Sequence, residues 1–180
     1  MDAKHKYATW DQRGFDETYY DIPDASRYKM RKRGSAIYRI LKSGVMKEIK
    51  QTLIIRKDGY RFRQVNITYD DTKRRTLNTR SLYRKLQVLN GDTPAGWFRS
   101  LPEDSEWIHP RDLSPEYFIN RQGYVYRFRK DFLGNPYYTK CHYVGETVER
   151  VNLHNSLFKQ RTYTRTAIKK MWAHDTGYRP

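Results

Sequence analysis

The chain repeats itself, so any fold for it has to accommodate one unit twice. Arg75-Thr76-Leu77-Asn78-Thr79 is answered 86 residues later by Arg161-Thr162-Tyr163-Thr164-Arg165. Behind each stands an apolar-spaced run, Leu82, Lys85 and Leu86 in the first copy and Ile168, Met171 and Trp172 in the second. Ten residues before each Arg-Thr pair lies an apolar-Asn-apolar triplet, Val65-Asn66-Ile67 and Val151-Asn152-Leu153, and Gly59 and Gly145 share one offset. Upstream, Tyr28-Lys29-Met30-Arg31-Lys32-Arg33-Gly34 leads to Ile37-Tyr38-Arg39. Its counterpart, Tyr117-Phe118-Ile119-Asn120-Arg121-Gln122-Gly123, leads to Val125-Tyr126-Arg127. Self-similarity at a long fixed spacing points to a repeated supersecondary unit.

At 180 residues the chain holds two such units, each near the lower size for a self-sufficient core. Apolar residues make up only 37%, but 16 Tyr, 7 Phe and 4 Trp supply bulky rings to bury, which favours a folded chain over a disordered one. No apolar run reaches the length of a membrane span. The N-terminus lacks the apolar stretch of a signal peptide, so a cytoplasmic location is expected. A single Cys excludes an internal disulfide framework. Charge is the strongest bulk signal: 36 Lys and Arg against 20 Asp and Glu give +16, spread through both repeats. That much like charge calls for a polyanion, and nucleic acid is the expected partner.

The expected fold class is α+β: two tandem modules, each a small antiparallel sheet followed by one helix. Residues 1–27 read as an aromatic and acidic arm that packs on its own domain or docks on a protein partner. Module 1 covers 28–91, a Pro- and Trp-rich connector 92–116, module 2 covers 117–175, and 176–180 form a tail. Asp58-Gly59 is a hairpin signal. The strand expected from Tyr60 to Tyr69 changes parity between Phe62 and Val65, which predicts a bulge. A helix is expected from a cap near Asn78 or Thr79 to Leu89, with Leu82, Leu86 and Leu89 on one face. A second is expected from about Thr166 to Ala173.

The succession Tyr-x-Ile-x-x-x-Gly-x-Val-Tyr, a Val-Asn-Leu strand and Arg-Thr-Tyr before a short apolar helix resembles a known module. It is similar to the small DNA-binding module beside the HNH nuclease motif in phage and intron homing endonucleases, and Trp107-Ile108 resembles that module's opening. The resemblance implies DNA binding. In that family the helix opens on a His-Arg pair and leads through an Asp-His segment to the catalytic His and metal ligands. Here the helices open at Arg165-Thr166-Ala167 and Arg80-Ser81-Leu82, and Ala173-His174-Asp175 is followed by only five residues. The catalytic segment therefore has no counterpart.

Residue chemistry agrees with binding rather than catalysis. His174-Asp175 is a candidate metal pair without a third ligand, in an expected frayed tail. Cys141-His142 point to opposite strand faces and make a poor zinc pair. No catalytic residue, metal site or cofactor is expected. A narrow sheet fits the major groove of duplex DNA and presents alternate side chains to base edges. Arg61 and Arg63 share one face, as do Arg127 and Arg129. Lys73, Arg75, Lys159 and Arg161 are the expected phosphate contacts, with Asn66 and Asn152 either supporting them or hydrogen-bonded within the sheet. Tyr38, Tyr126 and Tyr163 either stack on bases or pack in the core. The leading expectation is a non-catalytic duplex-DNA-binding protein. The alternatives are an assembly component of a nucleoprotein, virion or polymerase complex binding RNA, DNA or an acidic protein, and an HNH-type nuclease remnant completed by a partner.

Overall fold

A computed structural model describes residues 7–9 and 18–179 of the chain. Trp10, Asp11, Phe15, Asp16 and Glu17 of the expected arm lie outside the described residues. The chain is α+β and forms two units that meet at Pro94 and Ala95.

In the first unit, β1 (Tyr7–Thr9), β2 (Tyr19–Asp21), β3 (Tyr28–Arg31), β4 (Ile37–Ile40) and β5 (Val45–Glu48) form an antiparallel sheet in the order β1-β5-β4-β3-β2. The stretch read from sequence as an arm therefore ends as an edge strand, with Tyr20 buried against Met30 across the pair. A second sheet follows: β6 (Thr52–Ile55), β7 (Arg61–Thr68) and β8 (Arg74–Asn78). Asp58-Gly59 turns the β6–β7 hairpin, with Gly59 in the left-handed region and the Asp58 carboxylate accepting from the Tyr60 backbone N–H at 3.0 Å.

The expected bulge in β7 is absent. Its register runs without a break, from Ile55 opposite Arg61 to Thr52 opposite Gln64, then Gln64 opposite Asn78 to Thr68 opposite Arg74. The parity change has another cause. Phe62 and Gln64 are half-buried on one face, whereas Val65 and Ile67 are buried on the other, so different faces of one regular strand pack along its length.

Helix α1 (Thr79–Leu89) closes the unit. Asn78 caps it by accepting from the Ser81 N–H at 3.1 Å. Leu82 and Leu86 bury against Tyr28, Met30, Ile37, Val65 and Ile67, but Leu89, expected on the same face, is 43% exposed. In the last turn Leu86 and Val88 are the buried residues, and Leu89 faces out.

In the second unit, β9 (Trp97–Phe98), β10 (Tyr117–Ile119), β11 (Val125–Lys130) and β12 (Pro136–Cys141) pair in the order β10-β11-β12-β9. β9 comes from the connector and is anchored by Trp97 stacked on Tyr137, ring centroids 3.7 Å apart. Strands β13 (Arg150–His154) and β14 (Gln160–Thr164) form a separate ribbon. Helix α2 runs Arg165–Thr176, three residues beyond its expected end, so His174 and Asp175 sit in a helical turn and not in a frayed tail. Thr164 caps its start through the Ala167 N–H at 3.1 Å, and Gly177 stops it in the left-handed conformation. Ile168 and Trp172 bury against Leu113, Tyr117, Ile119, Val125, Val151 and Leu153. Each fully buried aliphatic side chain contributes about 1.5–3 kcal/mol.

Candidate nucleic-acid interface

The same cross-strand bond recurs in both units. The Thr76 hydroxyl donates to Asn66 Oδ1 at 2.6 Å, and the Thr162 hydroxyl donates to Asn152 Oδ1 at 2.7 Å. Of the two sequence readings for these asparagines, the hydrogen bond within the sheet is realised. Both pairs are nevertheless exposed, and the bond commits only the carbonyl oxygen. The amide NH₂ of each Asn keeps its donors for another partner.

Register then sorts the remaining residues. Directly paired residues share a face, so Gln64, Asn66 and Thr68 stand with Arg74, Thr76 and Asn78. Arg61, Arg63 and Arg75 fall on the opposite face, with Val65 and Ile67. Sequence reading chose Arg75 from the run Lys73-Arg74-Arg75; strand alternation puts Arg74 beside Asn66. Arg75 is at the outer end of the core face, its guanidinium 4.7 Å from the Tyr69 ring centre and 3.9 Å from the Asp71 carboxylate. Lys73 is exposed in the adjoining turn.

β6 ends opposite Gln64, and a cleft of about 770 Å³ opens along the rest of β7. Arg39, Lys47, Lys50, Arg63 and Arg74 line it, together with Asn66, Thr68 and Tyr28, and Glu48 is the single acid. None of these five cations forms an ion pair with a described residue. Sequence reasoning found Arg63 and Asn66 but missed the other four. Arg39 and Arg74 carried a signal in strand parity. Lys47 and Lys50 carried none, because β5 and the link that follows it are brought to β7 only by folding. A smaller recess of about 200 Å³ joins Arg61 and Arg63 to Arg80 and Tyr83.

The second unit differs at the corresponding positions. Arg127 occupies the place of Arg39, each opposite the equivalent Tyr of the preceding strand. Its guanidinium is 2.9 Å from Glu116 and lies over the Tyr117 ring, so it is engaged internally. Opposite it stands Thr139 where Lys47 stands in the first unit. Glu149 replaces Arg63 at the repeat offset and pairs with Arg165 through two hydrogen bonds. Gln160 replaces Arg74. The Arg165 guanidinium holds the Glu149 carboxyl below its ordinary range. Arg129 is exposed, and Lys159 and Arg161 are exposed on the β13–β14 ribbon. Tyr126, a candidate stacking ring, is buried under Trp107 and Phe98. Tyr38 and Tyr163 are half-buried.

Candidate chemistry for catalysis stays dispersed. Among the described residues no three His, Cys, Asp or Glu side chains gather as a metal site. His174 Nδ1 lies 3.0 Å from Asp175 Oδ1, and the other Asp175 oxygen accepts from the Arg111 backbone N–H at 2.9 Å. Burial pushes the Cys141 thiol up to about 11, the opposite of what a nucleophile needs. No described helix is long and apolar enough to cross a membrane. Comparison with protein-family models, with curated proteins and with solved structures found no match.

Proposed function

We propose that this is a non-catalytic duplex-DNA-binding protein, phage-encoded and built as a tandem duplication of a homing-endonuclease-like module. The observation that carries the reading is the cleft of the first unit. Five cations with no ion pair to a described residue line it with one described acid, Glu48, beside a strand face of Gln64, Asn66, Thr68 and Arg74. Asn, Gln and Arg are the residue types that pair bidentately with base edges in the major groove, and clustered cations grip the phosphates beside it. The β7–β8 ribbon inserts into the groove while Arg39, Lys47 and Lys50 hold one backbone.

The two units divide the work unequally. Residues 1–94 hold 22 Lys and Arg against 11 Asp and Glu, whereas residues 95–180 hold 14 against 9. The second unit has exchanged its cleft cations for neutral or internally paired groups, so its contact with DNA runs through the exposed β13–β14 ribbon.

The test is fluorescence anisotropy with labelled duplex DNA, single-stranded DNA and RNA at two salt concentrations. Duplex should bind tightest, and Lys50→Glu or Arg74→Glu should each weaken it about tenfold or more. Equal binding to all three polymers, or indifference to both substitutions, would transfer the charge to an assembly role. Magnesium-dependent nicking of the duplex would restore the nuclease reading.

A further inference from the structure

The turn between β13 and β14 presents two large apolar side chains to solvent: Leu157 is 71% exposed and Phe158 is 70% exposed. Phe158 also has φ of 57°, a left-handed conformation that disfavours a bulky residue. The turn is held from below. Asn155 Oδ1 accepts from the Leu157 and Lys159 backbone N–H groups at 3.0 and 2.9 Å, and the Ser156 N–H donates to the Asp112 carbonyl at 2.9 Å. Exposed apolar groups on a rigid, strained turn have no folding benefit of their own.

The first unit has the same turn with other contents. Tyr69 and Lys73 exchange the bond that Asn155 and Lys159 exchange, both at 2.9 Å, and Thr72 is left-handed at the place of Phe158. The positions of Ser156 and Leu157 are Asp70 and Asp71 there, and Asp70 is tied to Ser26. One turn is acidic and satisfied within its own unit; the other is apolar, free of acid and backed by Lys159 and Arg161.

We infer that Leu157 and Phe158 form a wedge that enters a base-pair step of bound duplex DNA, partly unstacking it, while Lys159 and Arg161 hold the flanking phosphates. Leu and Phe wedges of this kind kink duplexes in other architectures, and the adjacent cations match the negative backbone on either side of an opened step. A left-handed backbone at Phe158 aims the ring outward, and the Asn155 bonds keep it aimed before DNA arrives. The inference rests on the duplex-binding reading and adds deformation of the duplex to it.

The experiment uses the full chain and closed circular plasmid relaxed by a topoisomerase in its presence. Plasmid retardation reports binding, and the linking number recovered after protein removal reports unstacking without knowledge of a preferred site. Wild type should shift the linking number. The variant Leu157→Asn with Phe158→Gly should bind within about tenfold of wild type and leave the linking number unchanged, as should Leu157→Asn with Phe158→Asn, which also tolerates the left-handed turn. If wild type binds without a shift, or the variants shift it equally, the wedge is wrong and duplex binding stands. If wild type does not retard the plasmid, both readings fall. Sedimentation of wild type with phosphatidylserine vesicles, lost in the variants while the linking number never moves, would assign the tip to a lipid surface and overturn the wedge.

Discussion

Single residues carry much of the difference between the two units. At the place of Arg63 stands Glu149, and one substitution of this kind turns a cleft cation into an internal partner for Arg165. Gly123 carries a different constraint. Its φ is 80°, and a Cβ there would stand 2.9 Å from Arg165 Cγ and 3.3 Å from the Arg165 carbonyl oxygen. Gly123→Ala should therefore cost about 1–2 kcal/mol from the backbone alone, read as a fall in thermal midpoint. Cys141 has its thiol raised by burial, slightly offset by Arg127 and Arg129. Iodoacetamide should label this half-buried thiol more slowly in the native protein at pH 8 than in urea; equally fast labelling in both would contradict the raised thiol. These effects were only partly legible. The glycine was visible in the repeat, whereas the helix that crowds it comes from more than 40 residues downstream and is apparent only in three dimensions.

Elements obey local rules more closely. Both described helices begin where the last strand residue itself carries a side-chain oxygen, at Asn78 and Thr164, so the last strand passes directly into the helix. Asn78→Ala and Thr164→Ala should each cost about 1 kcal/mol in urea unfolding, the first leaving the Ser81 N–H and the second the Ala167 N–H without its cap. The start of α2 has a further support in the Glu149–Arg165 pair. The Glu149 carboxyl is depressed in the folded state, so its contribution is present above the ordinary carboxylate range and is lost as pH falls through the depressed value. The thermal midpoints of wild type and Glu149→Gln should differ at pH 7 and converge as acid protonates the depressed carboxyl. Strand β7 shows the limit of pattern reading. Its apolar parity changes because one face packs at one end and the other face at the other. A sequence cannot distinguish that from an inserted residue.

For the whole molecule, charge and its placement decide the behaviour with a polyanion. If the cleft cations contact phosphates, removing Lys50 or Arg74 should reduce the slope of log affinity against log salt by about 1 each. Arg127→Ala should act the other way, lowering the thermal midpoint through the stranded Glu116 more than it lowers DNA affinity. A measured loss of affinity at Arg127 equal to that at Arg39, whose place it occupies, would mean that both units bind by the same face.

Repetition, α+β class, helix caps, the Asp58-Gly59 hairpin and the basic character follow from the order of residues, because each depends on neighbours in the chain or on composition. Which cations stand together does not. Arg39 and Lys47 come from one sheet, Arg63 and Arg74 from another and Lys50 from the link between β5 and β6, and only packing of the two sheets over a shared apolar core makes them one cleft. In the second unit the β10–β11 pairing engages Arg127 by setting Glu116 beside it, since a repeat keeps the place of a side chain in its strand but not the charge set beside it.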